Sequence, residues 1–87
     1  MKNLGKSKLW ADIQNEGAKA SNKFGPYNST HEGYSVLKEE VEEFWELVKE
    51  SKQDGRLGNK MIDELIQIAA VSIRMIEEIK KDEIKYI

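Results

Sequence analysis

The chain has 87 residues, 34% charged and 39% hydrophobic, with a formal net charge of −2. That length and balance lead to the expectation of one ordered domain. With no cysteine and a single histidine, disulfides, thiolate metal sites and a cysteine nucleophile are excluded, zinc is disfavoured, and a cytoplasmic location is the expectation.

The first predicted helix covers residues 6–23, where Leu9, Ile13, Ala20 and Phe24 fall at spacings that line one side. Gly17 weakens it, and Gly25-Pro26 ends it, because proline cannot continue a helix and disfavours helical geometry just before itself. Residues 1–28 carry five lysines against two acids. No apolar run reaches the ~18–20 residues that span a bilayer, and the N-terminus lacks the apolar core of a signal peptide, so no membrane partner is expected.

The second helix is predicted over residues 30–52. Ser29-Thr30-His31-Glu32 fits a capping box, with Ser29 as cap and Glu32 reaching back. Residues 31–50 hold seven acids against two lysines. This split argues against a nucleic-acid polymer as partner, which calls for a broad basic face. At about 100° per residue, Leu37, Val41, Phe44 and Val48 make one apolar stripe, and Glu39, Glu42, Glu46 and Glu50 point away from it. Glu40 and Glu43 share a strip with Val36 and Leu47 at the shoulder of that stripe. Carboxylates near a core require a proton or a cation. Hard oxygen ligands three residues apart, on neighbouring turns, suit Mg²⁺ or Mn²⁺. A solvated helix edge is the plainer reading of a glutamate run.

A glycine-marked loop leads to the third helix, predicted over residues 59–81 with Asn59 as cap and Asp63 and Glu64 near its positive end. Ile62, Ile66, Ala69, Ile73 and Ile76 make one side of a wide apolar arc, which Leu65, Ile68, Ser72, Met75 and Ile79 extend. An arc this wide needs two neighbours, and one chain of this size is not expected to cover it, so a second subunit is expected there. Glu64 lies within the arc with Gln67 one turn later, repeating the Glu40–Glu43 spacing. An antiparallel second and third helix would bring the two pairs face to face. Arg74 shares a polar strip with Asp63 and Gln67, where it either orients a carboxylate or meets a phosphate. Trp45, off the main stripe, is a candidate interface residue. The last six residues form a short amphipathic tail with no assigned role. No strand pattern, repeat or sustained heptad appears.

Glu40-x-x-Glu43, a loop, and Glu64-x-x-Gln67 together resemble the E-x-x-E…E-x-x-D signature of the MazG-like all-α nucleoside triphosphate pyrophosphohydrolases, with glutamine in place of the final aspartate. HEGYSVLKEEVEEFWELVK, followed by ELIQIAA and Ile73-Arg74, is similar to a small bacterial and phage subgroup of that family, over roughly residues 24–77. The resemblance implies an all-α fold whose helices form a four-helix-bundle core in a dimer or tetramer. It implies hydrolysis of a nucleoside triphosphate to the monophosphate and pyrophosphate, with Mg²⁺, or Mn²⁺, as cofactor. Glu40, Glu43, Glu64 and Gln67 would then be the metal ligands, and Glu43 or Glu39 would accept the proton of the attacking water. Arg74, Lys49, Lys52, Arg56 and Lys60 are the candidates to meet the triphosphate. Glutamine is a neutral ligand and cannot act as a general base. That departure keeps a second expectation open, a weakly active or inactive helical interaction module.

Overall fold

The computed structural model describes residues 3–51 and 55–86, with the side chains of residues 3–6, 21 and 24 excepted. It is all-helical: α1 (Asn3–Phe24), α2 (Thr30–Glu50) and α3 (Gly58–Lys80). No helix among the described residues is long and apolar enough to cross a membrane.

Gly25 ends α1 in the left-handed region (φ 71°), where a residue without Cβ fits at no steric cost. The capping box forms at α2, where Ser29 Oγ accepts the Glu32 N–H at 3.1 Å. Glu32 reaches one residue further back than the motif predicts, accepting from the Asn28 N–H at 2.7 Å. At α3 the expected Asn59 cap is not the start. The helix begins one residue earlier, and Leu57 at its cap position makes no side-chain bond. The turn winds straight into the helix, with Gly58 N–H on the Gly55 carbonyl at 3.0 Å and Met61 N–H on that of Leu57 at 2.9 Å.

α3 is the central element, with α1 and α2 packed against it and not against each other. Gly33 meets Met75 while Glu43 meets Glu64, so α2 and α3 run antiparallel. Glu16 bonds Gln67 and Gly25 bonds Arg74, so α1 runs in the same direction as α3. The result is an open layer with Cα extents of 44 × 31 × 19 Å rather than a closed bundle.

The side of α3 turned toward its neighbours is only partly its apolar arc, of which Ile66, Ile68, Ala69, Ile73 and Met75 are half-buried. Ala70 and Val71 are buried there beside Arg74, 6% exposed, and Glu78, 5% exposed. Ile62, Leu65, Ile76 and Ile79 of the arc are exposed, as are Tyr34, Val41, Trp45 and Val48 on α2. Two neighbours in the same chain do flank α3, but they leave Ile62, Leu65, Ile76 and Ile79 of its arc exposed.

The remaining core is small: Tyr27, Val71 and Ile84, with Val36, Leu37 and Met75 against it. Ile84 assigns the C-terminal tail a role that the sequence reading left open. α3 closes in a Schellman motif, with Glu83 N–H on the Glu78 carbonyl and Asp82 N–H on that of Ile79. Asp82 takes the left-handed conformation (φ 58°). The reversed chain then lays Ile84 into the core and offers the Lys85 carbonyl to the Thr30 N–H at 2.7 Å. Ser29 and Lys85 form an isolated β-bridge.

Candidate metal centre

On α2, Gly33 lies against the Met75 side chain of α3. A Cβ there would sit 2.7 Å from Met75 Cε. Two turns on, Glu40 and Glu43 of α2 face Glu64 of α3, with one carboxylate oxygen from each within 4.8 Å of the others. Glu40 and Glu64 are half-buried and Glu43 is exposed, so the cluster opens to solvent on one side.

The arrangement is electrostatically costly without a positive charge. Glu40 is raised from 4.5 to about 8. Its protonated form hydrogen-bonds Glu64, burial disfavours its charge, and Glu43 adds a second hydrogen bond and a second negative neighbour. Glu64 Oε2 is buried with no hydrogen-bond donor. A proton on Glu40 or a hard cation among the three carboxylates would satisfy it. The donor set therefore fits a divalent cation bound through oxygen.

Gln67 does not close on this triad through its nitrogen. Its Nε2 donates to Glu16 Oε1 of α1 at 2.7 Å. That bond is the main reason the Glu16 carboxyl lies below its ordinary value, against an opposing effect of burial. Gln67 borders two spaces. One is an open groove of about 750 Å³ between α1 and α3, which it shares with Asp12, Glu16 and Asp63. The other is a cavity of about 500 Å³ that it shares with Glu40, Tyr27, Asn28 and Arg74.

Arg74 is a structural tie. Its Nη2 donates to the Gly25 carbonyl, its Nε pairs with Glu78 at 3.2 Å, and its guanidinium stacks 4.1 Å from the centre of the Tyr27 ring. Glu78 also accepts the Tyr27 N–H at 3.0 Å. Of the two roles expected of Arg74, orienting a carboxylate is the one the geometry displays, and the carboxylate belongs to Glu78 rather than to the triad. Desolvation raises the Tyr27 hydroxyl above its ordinary value, and that hydroxyl is buried without a partner.

Glu39 is exposed on α2 and is not one of the three converging carboxylates. Lys49 pairs with Glu46 at 2.9 Å and lies over the Trp45 ring. Arg56 and Lys60 are exposed near the start of α3, and Lys52 lies outside the described residues. The sequence reading missed Glu16, Gly33 and Glu78. The i, i+4 spacing of Arg74 and Glu78 was a usable signal. Nothing local in the sequence ties Glu16 to Gln67 or Tyr27 to Glu78.

Compared with known proteins, the chain matches no family model, no curated protein and no solved structure.

Proposed function

We propose that this chain is a divalent-cation-dependent nucleoside triphosphate pyrophosphohydrolase of the MazG-like kind. The observation that carries the reading is the convergence of Glu40, Glu43 and Glu64 from two antiparallel helices. These residues occupy matching places in the motif resemblance described above. Glu40, Glu43 and Glu64 hold the ion, the first and the last from the half-buried side. Glu43, at the solvent edge, accepts the proton of the attacking water. Mg²⁺, when bound, supplies charge neutralisation for the triphosphate and lowers the pKa of water. The cavity of about 500 Å³ beside Glu40 has the volume of a small-ligand site.

The exposed apolar faces of α2 and α3 support a homo-oligomer. Ile62, Leu65, Ile76 and Ile79 on α3 and Val41, Trp45 and Val48 on α2 are exposed apolar side chains, which water solvates poorly. A second α2–α3 pair laid on these faces makes a four-helix bundle of the kind the resemblance implies. The same surface, without turnover, is what a helical interaction module would present.

A nucleotide panel with pyrophosphate detection, with and without Mg²⁺, tests the reading. Cation-dependent release of pyrophosphate is the expected result, and Glu43→Gln should abolish it while leaving helicity unchanged. A chain that binds neither Mg²⁺ nor Mn²⁺ and releases no pyrophosphate is the interaction module.

A further inference from the structure

We propose that Glu16 of α1 is a positioning residue for the cation site, acting through the Gln67 amide. The inference rests on the reading of Glu40, Glu43 and Glu64 as cation ligands. An ionised carboxylate can only accept hydrogen bonds. Glu16 therefore draws the nitrogen of Gln67 to itself, at 2.7 Å, and fixes which way the amide faces. The nitrogen lies toward the α1–α3 groove that Glu16 and Gln67 both line. Gln67 also lines the cavity bordered by Glu40, and the oxygen is the end of the amide that the bond to Glu16 leaves unused.

A carbonyl oxygen is an acceptable ligand for Mg²⁺ or Mn²⁺, and an NH₂ group is not. Gln67 stands one helical turn from Glu64 on α3, so its oxygen approaches from the same helix as that carboxylate. A free amide presents either end. Held by Glu16, it presents oxygen. The arrangement adds a fourth oxygen to the triad without a fourth negative charge, in a cluster where Glu40 is already crowded by two carboxylates. Groups that orient a ligand by hydrogen bonding in this way govern metal affinity without touching the metal.

The test is a double-mutant cycle on nucleotide-free protein, with Mn²⁺ alone as the probe and calorimetric titration as the readout. Glu16→Gln keeps the shape of the side chain and its ability to bond Gln67 but removes the constraint on direction. Gln67→Leu removes the oxygen and keeps most of the volume. Each single variant should bind Mn²⁺ roughly tenfold more weakly than the wild type. Glu16→Gln should have no further effect in the Gln67→Leu background, because its action passes through the missing amide. A role for the bond in docking α1 alone would lower melting temperatures and leave Mn²⁺ affinity unmoved. Wild-type affinity in Glu16→Gln overturns the inference and leaves the triad reading intact. If Glu16→Gln does not fold, wild-type affinity in Gln67→Leu overturns it equally. A wild-type chain that takes up no Mn²⁺ at millimolar concentration removes the triad reading and this inference with it.

Discussion

Glu40→Gln isolates the electrostatic cost of the triad. The native Glu40 carboxyl is held at about 8 against an ordinary 4.5, so between those values the folded chain binds more protons than the unfolded one. Stability therefore falls as pH rises through that window and levels off above it. At 1.36 kcal/mol per unit the full shift amounts to about 5 kcal/mol. Glu40 is only half-buried and Glu43 beside it is exposed, so solvent screens much of this and about 1–2 kcal/mol is expected. Glutamine imitates the protonated acid at every pH. The variant should thus match the wild type near pH 4 and melt roughly 5–15 °C higher near pH 8.5. Millimolar Mg²⁺ at the higher pH should raise the wild-type melting temperature and close most of that gap, because an ion that binds only the folded state stabilises it. The assay is helical circular dichroism on heating, at fixed protein concentration, at both pH values and with and without Mg²⁺. A Glu40→Gln chain less stable than wild type at pH 8.5, or a difference that does not change with pH, refutes the reasoning.

Other perturbations reach different parts of the molecule. Arg74→Met leaves Glu78 charged, buried and unpaired and should cost about 3–5 kcal/mol in chemical denaturation. Glu78→Gln, which keeps an acceptor for the Tyr27 N–H, should cost less. Asp82→Gly relieves a left-handed residue and should stabilise the chain by about 0.5–1 kcal/mol in the same assay. Ile76→Glu, on the uncovered arc of α3, should shift sedimenting species to monomer at micromolar concentration. A wild type that already sediments as a folded monomer would remove the oligomer argument.

Helix number, type and approximate limits were legible because apolar period, the Ser29 cap and the Gly25-Pro26 stop act locally. The facing of the helices was less so. Counting apolar residues makes Leu37, Val41, Phe44 and Val48 the inward stripe of α2. The structure turns Gly33, Val36, Leu37 and Glu40 toward α3 and leaves Val41 and Val48 exposed. Gly33 lies against Met75, and a residue without a side chain adds nothing to an apolar count. Glu40 therefore lies further inside than the shoulder position the period assigns. On α3 the same counting places Arg74 on a polar, outward strip. Its burial depends on Gly25, Tyr27 and Glu78, two of them far away in the chain. The triad was readable because Glu40 and Glu43 follow i, i+3 spacing and Glu64 falls within the apolar arc of the next helix, whereas the Glu16–Gln67 bond joins residues 51 apart.

The stitching between the α1–α2 connection and the far end of α3 has a consequence for how the chain reaches this form. Arg74 to Gly25 and Tyr27 to Glu78 close segments of 49 and 51 residues, and Thr30 waits for Lys85. Joining ends that far apart costs roughly 3–4 kcal/mol of chain entropy before any contact repays it. The α2–α3 hairpin, with its short connection, can form first and bring the three glutamates together on its own. The Tyr27 cluster, which waits for these longer closures, is expected to form later. During synthesis the cluster stays incomplete until residues 71–84 have left the ribosome, although the Glu16–Gln67 bond can tie α1 to α3 earlier.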